Sequence, residues 1–285
     1  MNSEPPSEPQ QANASWWSSN PMTYDWEGQI RAKEGTPEFF RQSDSRALEA
    51  HRPFGHPQYP DEMAYSRLID WKQVCGQRVL EIGCGMGLHA SLFSKAGAEI
   101  VTIDLTRKAC ELAHQRLAQG NIHASVVQSD GERLPFHDRT FDRVWSWGVI
   151  HHSAHTEMII QEVSRVLKSG GIFQAMVYHR QSVRYWLIGG IQHGLLQRKL
   201  FRMNLARVNQ TFTDGAIARH YSRREIHGLL KEFQNVRCRI LQEAGSDAFP
   251  KISPILCKAL PQFATRFDQW INERFGWFLF FEATK

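Results

Sequence analysis

Residues 78–89 read RVLEIGCGMGLH: an aliphatic run, a turn with glycine at 83, 85 and 87, and the opening of a helical stretch. A buried strand that runs straight into glycines and a helix start leaves unpaired backbone N–H groups and a positive helix end at the strand terminus. A nucleotide-like ligand can lie against such an edge. The dinucleotide form of this turn, G-x-G-x-x-G, needs glycine at 88, and Leu88 stands there, which disfavours a pyrophosphate site.

Outward from the turn, strand-like and helix-like segments alternate. A helix over roughly Leu88 to Ala96, stopped by Gly97, leads to a strand, EIVTIDL (99–105). A helix over 106–118, with Thr106 as N-cap, leads to HASVVQSD (123–130) and then to the fourth strand, FDRVWSWGVI. A helix from about Ser153 to Leu167 stops at Lys-Ser-Gly-Gly (168–171), and GIFQAMVYH is the fifth strand. After an insertion over 181–221, SRREIHGLLKEF (222–233) restores a helix, VRCRILQE (236–243) a sixth strand and GWFLFFEATK (276–285) a seventh. This alternation predicts an α/β fold: a Rossmann-like, mostly parallel sheet with helices on both faces. Asp104, ending the second strand, is placed to accept hydrogen bonds from ribose hydroxyls. Asp130, ending the third, is placed to meet an adenine amino group.

In this order the motifs VLEIGCGMG, TID, SDGERLPF, FDRVWSWGVIHH and RVLKSGG resemble the class I S-adenosylmethionine-dependent methyltransferases. The similarity is closest to the small-molecule branch that includes ubiquinone and menaquinone biosynthesis enzymes, and it covers about residues 74–180. It implies a seven-stranded sheet with an antiparallel last strand and S-adenosyl-L-methionine as cofactor. Carried over residue by residue, it implies that Gly83, Gly85 and Gly87 line the methionine and ribose part, with Glu81 as a partner behind them. Asp104 and Leu105 lie at the ribose, Asp130 and Gly131 at the adenine, and Ser146 and Trp147 by the methionine moiety.

A sulfonium methyl group is already activated, so the protein's work is alignment and exclusion of water, and the chemistry requires no metal. A hydroxyl or ammonium acceptor must also lose a proton, for which histidine is suited. His152, and after it His151, are the candidate bases because they follow the fourth strand. Tyr178 and His179 end the fifth strand on the same edge, and His220 and Tyr221 mark the return from the insertion; all four are acceptor-pocket candidates. Trp16, Trp17, Tyr24 and Trp26 read as a lid of the kind the resemblance places over such a site.

The chain of 285 residues, 42% hydrophobic and 22% charged, has ordinary globular composition. It is read as one methyltransferase domain over 16–285, with a disordered, Pro/Ser/Gln/Glu-rich tail over 1–15. Within the domain lie an N-terminal cap (16–73), the cofactor core (74–180), a lid insertion (181–221) and a remainder (222–285) with a helical excursion over 244–275. Five scattered cysteines without a C-x-x-C pair, and no signal sequence, predict reduced thiols and a cytoplasmic protein. The net charge of +5 is not gathered into one basic run. The N/D-P-P-Y/F motif of many DNA and protein-glutamine methyltransferases is replaced by SWGV after the fourth strand. A nucleic-acid partner is therefore not expected.

Apolar residues at Leu187, Ile191, Leu195, Leu196, Leu200 and Met203 predict an amphipathic helix with an arginine and lysine fringe. It reads as a lid face, a dimer contact or, less commonly, a membrane contact, in a monomer or homodimer. The reading that follows is transfer to an oxygen or nitrogen of a small-molecule acceptor. Two alternatives stay open: carbon methylation of a quinone-like or lipid-soluble acceptor, and a non-catalytic cofactor-binding module.

Overall fold

The computed structural model describes residues 7–25, 28–55, 64–244 and 261–285. Strands β1 (Arg78–Ile82), β2 (Glu99–Asp104), β3 (Ser125–Gln128), β4 (Phe141–Trp147), β5 (Leu167–His179), β6 (His220–Tyr221), β7 (Gln234–Leu241) and β8 (Phe278–Thr284) form one sheet. The order is β3-β2-β1-β4-β5-β8-β7, and the two-residue β6 pairs with the end of β5. β1 to β5 are mutually parallel, whereas β8 lies antiparallel between β5 and β7. The antiparallel last strand is as expected, and β6 makes the strands eight rather than seven.

The strand order reverses at β1, which pairs with β2 on one side and β4 on the other. In open α/β sheets a ligand crevice opens at the carboxyl ends of the strands at this reversal. The side-chain period of two sorts the core onto both faces. Leu80, Ile82 and Val144 join Ile159 and Val163 of α5 (Thr156–Val166) on one face. Val79, Trp145 and Trp147 join Phe93 of α3 (Leu88–Lys95) and Tyr65 on the other. Aromatic rings gather on that face: the Trp145 and Trp147 rings stack at 5.6 Å, with Phe280 and Tyr65 around them.

Local signals place the helix starts. Thr106 accepts from the Ala109 amide at the head of α4 (Arg107–Gln119). Ser222 and Glu225 form a reciprocal capping box at α7 (Arg223–Leu229), an arrangement worth about 1 kcal/mol. Two readings change. Lys168 to Gly171 belong to β5, not to a helix end; α5 stops at Val166, and the β4–β5 register shifts between Phe141 and Arg143 to take the extra residues. Residues 8–15, expected as tail, lie in α1 (Glu8–Ser19).

The cap also holds α2 (Pro37–Ala50), and the insertion holds a wide helix (Arg184–Leu196) and α6 (Leu205–Gln210). Of the expected excursion over 244–275, residues 245–260 lie outside the described residues, and α8 (Pro261–Phe275) supplies the helix.

Candidate functional site

The carboxyl ends of β1, β2 and β4 open into a cavity of about 460 Å³. Its floor is the glycine turn. Gly83 has φ +86° and is pressed so close to the segment after β4 that an added Cβ would stand 2.2 Å from Val149 Cγ2. Gly85 has φ +48°, and an added Cβ there would meet nothing within 4 Å, so open space lies over its backbone. Gly87 is the N-cap of α3 and backs onto Ala113; it shapes the turn without lining the cavity.

Asp104 Oδ1 accepts from the Thr106 amide and hydroxyl, and Oδ2 from the Gly85 amide at 3.2 Å. Burial nevertheless pushes the carboxyl above its usual range. A charged acceptor there gains from each further hydroxyl donor. Asp130 is likewise raised by burial. Its Oδ1 accepts from the Glu132 amide and from Gln10 Nε2, both at 2.9 Å, which leaves Oδ2 for a ligand donor. Leu105 and Gly131 complete this wall. Open backbone at Gly85, a ribose-type carboxylate and an adenine-type carboxylate along one cavity fit S-adenosylmethionine. The cavity volume lies within the ordinary range for small-molecule sites.

The opposite part of the cavity is lined by Trp17, Tyr24, Trp147, His152 and Tyr178 among the expected residues. His152 is 3% exposed. Its Nδ1 lies 2.6 Å from the Ile217 carbonyl, and a carbonyl can only accept. The hydrogen therefore sits on Nδ1, and Nε2 is left with its lone pair. Burial pulls the ring's pKa down to about 4, so the ring is neutral at physiological pH. Asn13 donates to the His152 carbonyl at 2.7 Å, and the Trp17 ring meets the imidazole edge-on at 4.9 Å. Gly215, at φ +85°, gives the ring room: a Cβ there would stand 2.6 Å from Nδ1.

Other expected residues are held elsewhere. His151 is fully buried beneath His152, off the cavity wall. Ser146 spends its hydroxyl on the Ile82 carbonyl at 3.0 Å. His179 bonds the Gly276 carbonyl through Nδ1, and Tyr221 donates to Thr156 inside the core. His220 stacks on Tyr178 at 5.5 Å, and Trp16 packs edge-on against Trp17. His151, Ser146, His220 and Trp16 pack on or bond wall residues, His179 and Tyr221 bond residues off the wall, and none of the six lines the cavity. Trp26 lies outside the described residues.

Glu81 lies off the cavity wall and belongs to a chain of polar contacts that no motif marks. Its Oε2 accepts from Thr102, and its Oε1 lies 3.4 Å from His89 Nδ1. His89 Nε2 is 2.8 Å from the Tyr65 hydroxyl, and that hydroxyl is 2.6 Å from His51 Nδ1. His51 Nε2 in turn lies 3.4 Å from Glu243 Oε1. Burial holds His51 toward its neutral form. His89 and Glu243 reach the cavity wall, which also gains Arg184, Asp214, Met176 and Trp277. Sequence reasoning missed these residues; each stands alone in the chain, with no spacing to mark it.

A methyltransferase-domain family model matches residues 80–175. A 27-O-demethylrifamycin SV methyltransferase of Amycolatopsis mediterranei is 35% identical over 99 residues, 34% of this chain and 36% of its own length. A ubiquinone biosynthesis O-methyltransferase of Mesorhizobium japonicum is 30% identical over 105 residues, 37% of this chain and 42% of its own. The matches thus span less than half of these relatives' length. Among solved structures the [4+2]-cyclase SpnF superposes with a TM-score of 0.54 at 16% identity, covering 97% of this chain and 95% of its own; that likeness concerns the fold alone. With the glycine turn, both strand-end aspartates and the family match in one segment, residues 80–175 are a methyltransferase domain of the class I S-adenosylmethionine-dependent family.

Proposed function

We propose that the chain transfers the methyl group of S-adenosylmethionine to an oxygen or nitrogen of a small-molecule acceptor, with His152 as the proton acceptor. The observation that carries this reading is the His152 ring on the cavity wall, neutral and with Nε2 unprotonated because Ile217 holds the hydrogen on Nδ1. When bound, the cofactor supplies an electrophilic methyl carbon. An acceptor oxygen or nitrogen aligned with that carbon would take the methyl group, and His152 Nε2 would take the acceptor's proton. Asp104 and Asp130 hold the cofactor's ribose and adenine ends, and Trp17 and Tyr24 keep water from the reacting atoms. His152 is preferred to His151, whose ring lies off the wall. Two similar proteins named for O-methylation or methyl transfer support a small-molecule acceptor.

The test is a labelled-methyl screen against fractionated cell extract, with the product identified by mass spectrometry. A product labelled at oxygen or nitrogen is the expected result; label at carbon would replace the reading with carbon methylation. Because a cyclase shares the fold, cofactor binding by calorimetry with no labelled product from any fraction would assign a binding module instead.

A further inference from the structure

The insertion helix turns its bulk outward. In the wide helix Arg184–Leu196, Gly189, Gly190 and Gly194 are buried. A Cβ on Gly189 would stand 2.3 Å from Asn209 Oδ1, and one on Gly194 would stand 2.8 Å from Leu200 Cδ1. The glycines let α6 and the following turn approach closely. The large side chains are thereby sent to the opposite side, spaced by four or five residues, about one turn of an i→i+5 helix. Of the eight large apolar side chains that the described residues leave exposed, six lie here: Trp186, Leu187, Ile191, Leu195, Leu196 and Phe201. Leu196 is 76% and Phe201 83% exposed. The sequence predicts an amphipathic helix, for which a buried lid face or a dimer contact is the commoner outcome; within the chain the apolar side is not buried as a lid face.

Along the insertion the charge is one-signed as far as Asp214, which faces Arg184 at the pocket. From residue 163 to 213 the chain has no carboxylate, while Arg184, Arg198, Lys199, Arg202 and Arg207 fall within the insertion. Arg198, Arg202 and Arg207 are exposed. A contiguous apolar patch on a water-facing surface marks a contact site, and a tryptophan- and leucine-rich face beside arginine and lysine matches the boundary between acyl chains and anionic headgroups. A protein partner of ordinary surface would leave these cations without uniform counter-charge. The face also adjoins the cavity: Arg184, at its first turn, stacks over the Trp277 ring at 4.8 Å, and both residues line the pocket.

We propose that the insertion helix docks the protein, pocket side down, on an anionic lipid bilayer surface. The probe is a vesicle of phosphatidylcholine, with or without about a third phosphatidylglycerol, assayed by co-sedimentation with the full chain. The expected result is binding to the phosphatidylglycerol vesicles at least ~10-fold stronger than to phosphatidylcholine alone, weakened by salt. Leu195→Glu with Leu196→Glu abolishes the binding, and Arg198→Glu with Arg202→Glu reduces it. All four side chains are exposed, so these variants keep the fold, and unchanged calorimetric cofactor affinity in the same samples verifies that. Because vesicle binding needs no turnover, its outcome is separate from that of the transfer reaction. Equal binding to both vesicle types, binding to neither, or retention by the Leu195→Glu/Leu196→Glu variant overturns the proposal. So does a dimer in sedimentation velocity that the same variant dissociates, which would assign the face to a second copy.

Discussion

The two walls of the cavity are built over different sequence distances. On the cofactor wall the partners are near: Thr106 bonds Asp104 two residues back, and Gly85 bonds Asp104 across 19 residues, from one strand to the next. On the roof, Gln10 reaches Asp130 across 120 residues and Ala154 across 144, and Asn13 reaches His152 across 139. The first wall is a property of local backbone and survives wherever its turn is written. The second exists only once the whole chain has closed, and it can differ between proteins that share the first.

That contrast can be broken most severely at Gly83. Gly83→Ala places a Cβ against Val149 at a backbone angle of +86°, so it should destabilise the fold by about 3 kcal/mol and abolish cofactor binding. Denaturant midpoints and calorimetry read both effects, and a Gly83→Ala variant that binds the cofactor normally would remove the floor of the local wall. His152→Gln, on the roof side, should lower kcat by about 100-fold on the product found in the screen, with cofactor affinity unchanged. An equal loss of cofactor affinity would show that the walls are not separable.

Acid tests the roof as a whole. His152, with a pKa of about 4, and His220, at about 3, are held neutral by burial, against 6.5 in an unfolded chain. The unfolded state therefore binds protons first. The stability these rings contribute is intact above about pH 6.5 and is lost progressively as the pH falls toward 4, at up to ~1.4 kcal/mol per pH unit for each ring. Urea midpoints at pH 7 and pH 5 should differ accordingly, and His152→Gln should flatten the slope. The smallest expected effect is at Gln10. Gln10→Ala removes the α1 contacts to Asp130 and Ala154 and should speed cofactor release by about fivefold, one net hydrogen bond's worth, in a stopped-flow displacement. No change in the release rate would mean that α1 does not cover the cofactor.

The same division explains what the sequence could and could not convey. The strands, the glycine turn, Asp104, Asp130 and the position of His152 were legible because each follows directly from a periodic run or a neighbouring motif. Glu243, Asp214, Tyr65 and His51 were not, since a single polar residue in a long loop or cap carries no spacing. Residues 8–15 were misread for a definite reason. Composition weighs apolar surface, but α1 is held partly by the amides of Gln10 and Asn13, buried to 3% and 4% exposure and bonded to the site. Polar residues can anchor a helix when their partners are distant, and those partners do not show in the local sequence.

The chain from Glu81 through His89, Tyr65 and His51 to Glu243 has an arithmetic of its own. Its two hydrogen bonds meet at the Tyr65 hydroxyl, 2.8 Å from His89 Nε2 and 2.6 Å from His51 Nδ1. The phenol has one hydrogen, so it donates to one imidazole and accepts from the other. A neutral ring that accepts there carries its own hydrogen on the nitrogen facing a glutamate 3.4 Å away, Glu81 for His89 and Glu243 for His51. Rotation of one hydroxyl thus decides which end of the cavity faces an imidazole N–H, without any heavy atom changing partners.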